Sequence, residues 1–71
     1  MELKGLRAIR KFKKYSQVKV AMDLSMSRET LSRYETGSRN PDIETLVRFS
    51  DYYNVSIDYL IRGEEFTKKQ S

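Results

Sequence analysis

Apolar positions recur along this chain in short bursts of helical spacing, and no segment alternates as a half-buried strand would. Leu3, Leu6 and Ile9 fall on one side of a helix predicted over Glu2 to Lys13, with Arg10 on the same inward side. Ala21 and Leu24 mark the inner face of a second helix, the small alanine allowing close approach of the third. On that third helix the wheel divides sharply. Thr30, Leu31 and Tyr34 share one side, while Arg28, Glu29, Ser32, Arg33 and Thr36 share the other. A fourth helix is predicted to turn Ile43, Leu46, Val47, Phe49, Ser50 and Tyr53 inward, and a fifth, short helix follows Ser56.

The predicted starts use one device. Ser16, Ser27 and Ser56 can each cap a helix through the side-chain oxygen. Each has an apolar residue before it and another four positions on: Tyr15 and Val20, Met26 and Leu31, Val55 and Leu60. That is the arrangement of a hydrophobic staple across the cap. Asp42, after Pro41, is a fourth cap, and Gly37 and Gly63 stand where a left-handed helix stop is wanted. Gly5 lies inside the first helix, where it costs about 1 kcal/mol against alanine and predicts a frayed first turn. From Glu64 to Ser71 the chain is polar, and this tail is expected to be disordered.

Composition narrows the chemistry. The 71 residues have room for one domain with a thin core. There is no cysteine, hence no disulfide and no thiolate zinc site. With no histidine either, common acid–base and nucleophile chemistry is almost excluded, and no enzyme, cofactor or metal site is expected. The opening Met1-Glu2-Leu3-Lys4 reads as no signal peptide, and no apolar run approaches a membrane span.

The net charge is +4, but its distribution says more. Lys4, Arg7, Arg10, Lys11, Lys13 and Lys14 fall in a stretch without an acid, whereas Asp42, Glu44, Asp51, Asp58, Glu64 and Glu65 gather later. Lys4, Arg7, Lys11 and Lys14 stack as a basic stripe on the first helix. A polarised, basic molecule suits a partner rich in phosphate, although a charge run alone is equally a solvated face.

Two short helices, a connection of about Ser25-Met26 and a polar second helix make the helix–turn–helix supersecondary unit. The ordered run is then specific. Ser16 to Gly37, with Asn40-Pro41 and Val55-Ser56-Ile57-Asp58-Tyr59-Leu60, resembles the Cro and phage-repressor (XRE-like) class of helix-turn-helix DNA-binding domains. The resemblance runs from about Leu3 to Gly63 without an internal gap. It implies an all-α, compact five-helix bundle of the lambda-repressor-like type over residues 1–63, with helices two and three as the motif. One departure stands out: the turn often carries glycine where this chain has Ser25, and a left-handed turn strains serine by about 1 kcal/mol.

Helix three then becomes the recognition helix. Arg28 and Arg33 match the O6 and N7 acceptors of guanine through the guanidinium fork, or else they contact phosphate. Glu29 can accept from cytosine N4, or only hold Arg33 as an i, i+4 pair. Ser32 can read a base edge or a sugar. The resemblance implies phosphate binding by Gln17 at the start of helix two and by Arg39 and Asn40 after Gly37. Ser27, Thr30 and Lys11 are further phosphate candidates, although Lys11, with Lys13 and Lys14, is better suited to long-range attraction than to a fixed contact. The resemblance also implies a partly buried structural ion pair between Arg10 and Glu35. Pairing of two copies through Asn54, Val55, Ser56, Ile57 and Tyr59 follows the same resemblance, with Tyr52 and Phe12 as further exposed aromatics.

The functional expectation is a sequence-specific double-stranded DNA-binding regulator, a repressor acting as a homodimer on a near-palindromic operator in the cytoplasm. The alternative is an antitoxin-like or antirepressor-type protein-interaction module. That reading wants an apolar or acidic face on helix three, which Arg28, Ser32 and Arg33 oppose. Single-stranded or RNA binding is disfavoured, because no aromatic stacking platform is evident on the basic side.

Overall fold

A computed structural model describes residues 2–64 of the chain. Within them lie five helices and no strand: α1 (Lys4–Phe12), α2 (Gln17–Asp23), α3 (Arg28–Thr36), α4 (Ile43–Tyr53) and α5 (Ile57–Arg62). Apart from its first residue, Glu64, the polar tail expected over 64–71 lies outside the described residues.

The four caps form as the sequence predicts. Ser16 Oγ accepts from Lys19 N, Ser27 Oγ from Thr30 N, Asp42 Oδ1 from Thr45 N and Ser56 Oγ from Tyr59 N, all at 2.9–3.1 Å. Each satisfies a backbone N–H that the helix itself leaves without a partner. The bonds to Thr45 hold the Asp42 carboxyl below its ordinary pKa.

Three of the four connections repeat one tripeptide logic: a left-handed residue, an apolar residue, a serine cap. They are Lys14-Tyr15-Ser16, Ser25-Met26-Ser27 and Asn54-Val55-Ser56, with φ of 61°, 57° and 57° at the first position. The apolar N–H closes each preceding helix onto a carbonyl five residues back: Tyr15 to Arg10, Met26 to Ala21, Val55 to Ser50. All three apolar side chains pack against the core, so one residue serves the end of one helix and the start of the next. The fourth connection, from Gly37 to Asp42, is longer and starts on a left-handed glycine at φ 86°.

Leu3, Leu6, Val20, Leu31, Phe49, Tyr53 and Leu60 are almost wholly buried, and Tyr34 packs edge-on against Phe49 at 5.9 Å. Each buried apolar side chain contributes about 1.5–3 kcal/mol, against about 1 for a cap. The core therefore holds the bundle, and the caps decide where each helix starts.

Three expectations need correction. Ile43 and Val47 do not face inward: they are 73% and 40% exposed, because only Leu46, Phe49 and Tyr53 of α4 reach the buried core. Tyr52 is half-buried instead of exposed, its hydroxyl donating to Asp23 Oδ2 at 2.6 Å. Phe12, by contrast, is 79% exposed. The third correction concerns Gly5, which marks no frayed turn. It is buried where α1 crosses α5, and a Cβ there would stand 2.1 Å from the Tyr59 carbonyl oxygen. Only a residue without a side chain permits that approach, and the contact outweighs the lost propensity.

Candidate nucleic-acid interface

The bend between α2 and α3 is set by Ser25, which takes the left-handed conformation that glycine adopts without penalty. Arg48 of α4 braces the bend from behind, its Nη2 donating to the Leu24 carbonyl at 2.6 Å. α3 buries Leu31, Tyr34 and Glu35 against the bundle. Arg28, Glu29, Arg33 and Thr36 are exposed on the other side, with Ser32 half-buried among them. This division follows the wheel, and Glu35 belongs to the scaffold, as the expected pair with Arg10 requires.

Behind the exposed face lies a continuous polar network. Arg10 Nε and Nη2 donate to Glu35 Oε2 and Oε1 at 2.7 and 3.1 Å. Arg10 Nη1 donates to the Tyr15 carbonyl at 3.0 Å. Both side chains are almost fully buried, so this fork ties α1 to the end of α3. Burial, and next the negative Glu35, push the Tyr53 hydroxyl well above the usual tyrosine range.

Gln17 extends the network outward. Its Nε2 donates to Glu35 Oε1 at 3.0 Å, and its Oε1 accepts from Arg28 Nη1 at 3.1 Å. The amide thereby joins the buried ion pair to the first arginine of the exposed face. Sequence reasoning assigned Gln17 to phosphate and missed this bridge, because three residues separated by eighteen and by eleven positions leave no local pattern.

The other anticipated residues lie as follows. Ser27 Oγ donates to Thr30 Oγ1 at 2.9 Å, so both hydroxyls are engaged at the start of α3. Arg39 and Asn40 are exposed in the loop after Gly37, the Arg39 guanidinium lying 5.6 Å from the Tyr34 ring centroid. Glu29 and Arg33 form no ion pair, so the arginine is not held by that glutamate. Lys11 is exposed on α1, across a groove of about 920 Å³ from Gln17 and Arg28. In the segment expected to pair two copies, Asn54 and Ser56 are exposed, whereas Val55, Ile57 and Tyr59 are partly engaged by the core. No group of three or more potential metal ligands occurs among the described residues. No helix there is long and apolar enough to cross a membrane.

A polar helix carried across a three-residue bend on a capped partner, inside five packed helices, is a helix-turn-helix module. The chain belongs to the helix-turn-helix family of the Cro/C1 type, whose model matches residues 6–60. It is 42% identical over 64 residues to the HTH-type transcriptional regulator YqaE of Bacillus subtilis, covering 90% of this chain and 55% of that protein. It is 41% identical over 66 residues to the transcriptional regulator ImmR of the same organism, covering 93% and 52%. It is 37% identical over 60 residues to the HTH-type transcriptional activator BcrR of Enterococcus faecalis, covering 84% and 29%. The chain thus spans about half the length of the two Bacillus proteins.

Proposed function

We propose that the protein is a sequence-specific double-stranded DNA-binding regulator that lays α3 in the major groove of an operator half-site. The observation that carries this reading is the exposed set Arg28, Glu29 and Arg33, on a helix fixed from behind by Leu31, Tyr34 and the Arg10–Glu35 fork. Arg28 and Arg33 present bidentate donors suited to guanine, Glu29 accepts from cytosine, and Ser32 lies at the margin of the same face. Gln17, Ser27, Thr30, Lys11, Arg39 and Asn40 would contact phosphates and fix the register. The names of the relatives, all HTH-type transcriptional regulators, support the regulatory role.

One recognition helix reads only a few base pairs, so the protein acts as a dimer on a near-palindromic site with half-sites about 34 Å apart. The segment from Asn54 to Tyr59 is the surface proposed to pair the copies. Repression by occupancy of the operator, without catalysis and in the cytoplasm, completes the proposal. The test is gel-shift binding across a salt series, with Arg28→Ala and Arg33→Ala compared on matched and scrambled duplexes. Base reading predicts losses confined largely to the matched duplex, and equal loss on both would reduce the arginines to phosphate contacts. A reporter placed downstream of the operator distinguishes repression from activation.

A further inference from the structure

The recognition face does not end at α3. The groove beside it has α1 as its opposite wall, and Lys4, Arg7 and Lys11 line that wall, facing Gln17, Arg28 and Ser32. All three cations are exposed, and none enters an ion pair among the described residues. Two acids also line the groove: Glu2, and Glu35, whose carboxylate is already bonded by Arg10 and Gln17. A stripe held only by solvation would need no alignment with the reading helix, yet here the two share one concave surface.

The geometry points to a second phosphate track. Lys4, Arg7 and Lys11 would follow the DNA backbone past the half-site read by α3, so that the footprint extends onto flanking duplex without reading its sequence. A helical rise of about 1.5 Å per residue sets Lys4 and Lys11 about 10 Å apart along α1. One strand of B-form DNA carries a phosphate about every 3.4 Å along the axis, so a span of that length covers several phosphates, enough for each of the three cations to meet one. This inference rests on the DNA-binding reading and adds Lys4 and Arg7 to it.

The test uses the full chain and duplex DNA selected by it from a random library, with flanks running a helical turn past the selected half-sites. The dependence of log affinity on log salt concentration is measured for the wild type, for Lys4→Gln/Arg7→Gln/Lys11→Gln, and for Arg7→Gln alone. Each phosphate contact contributes about 0.9 to the slope, so the triple variant should flatten it by about 2.7 and the single variant by about 0.9. The losses should be equal on selected and scrambled duplexes. Lys19→Gln removes one charge from an exposed pair with Asp23 and should leave the slope unchanged. Trimming the flanks should weaken the wild type and leave the triple variant where it was. Unchanged slopes in both α1 variants, with intact wild-type binding, would overturn the phosphate track while leaving the α3 reading in place. Equal flattening by Lys19→Gln would reduce the effect to net charge and overturn the track as well. Absence of any duplex binding by the wild type would remove both.

Discussion

α2 is fastened at both ends, and the two fastenings differ in kind. At its amino end Gln17 joins the buried Arg10–Glu35 fork and reaches Arg28 on the exposed face. At its carboxyl end Asp23 accepts from Tyr52 at 2.6 Å and from Lys19 at 2.9 Å, in the open. There the Tyr15 ring lies against Tyr52 at 6.1 Å and under the Lys19 ammonium at 4.8 Å. The front fastening is rooted in a dry ion pair, with its outer bond to Arg28 on the reading helix exposed, whereas the rear one is wet throughout and leads to α4. A charge pair in a dry site cannot be halved without stranding a charge, while a wet one is replaced by water. The front should therefore bear on both stability, through the fork, and DNA recognition, through Gln17, whereas the rear should bear on stability alone.

Glu35→Ala should have the largest effect. It leaves the Arg10 guanidinium buried without its carboxylate, a loss of about 3 kcal/mol or more. A melt followed by circular dichroism should fall by more than about 10 °C for a domain of this size. Arg10→Met/Glu35→Leu removes both charges together and should recover most of that loss. A double variant as unstable as the single one would mean that the fork itself, instead of the stranded charge, holds α1 to α3.

Gln17→Ala sharpens the same end. The half-buried amide carries little of the core, so the melt should move slightly. Arg28 loses its anchor, and binding to a selected duplex should weaken about tenfold, equivalent to about 1.4 kcal/mol. A stability loss matching that of Glu35→Ala would contradict the assigned role.

At the rear, Tyr52→Phe keeps the ring and removes the hydroxyl. A lowering of the melt by about 2–4 °C is expected, with DNA affinity unchanged. The smallest effect is a titration. The bond from Tyr52, and next that from Lys19, hold the Asp23 carboxyl below its ordinary pKa of 3.8. The folded state thus binds fewer protons there than the unfolded one, and this contribution is present above that value and fades as pH falls through the folded pKa. Asp23→Asn should flatten the acid limb of a stability–pH curve, and an unchanged limb would place the acid sensitivity elsewhere.

The sequence was most legible where structure is local. A serine, an apolar neighbour and another apolar residue four positions on suffice to place α2, α3 and α5, because cap and staple close within five residues. Legibility failed where the deciding partner is remote. Nothing near Ile43 or Val47 says which side of α4 meets the bundle. Intrinsic propensity marks Gly5 only as a weak point in α1, yet its reason lies fifty-four positions away at Tyr59. Lys14 carries no mark of a left-handed conformation, and only the repeated link with Ser25 and Asn54 makes it intelligible. Within the interface, exposure of Arg28, Glu29 and Arg33 followed from the wheel, while the Gln17 bridge and the facing wall of α1 needed three helices in place.

α3 is the element proposed to read bases. The most direct test of that role is selection of bound duplexes from a random library by the wild type and again by Arg28→Ala. Two half-sites about one helical turn apart are expected for the wild type, with preference relaxed at one symmetric base pair per half-site for the variant. An identical motif recovered by both proteins, with only uniformly weaker binding by the variant, would contradict base reading by Arg28.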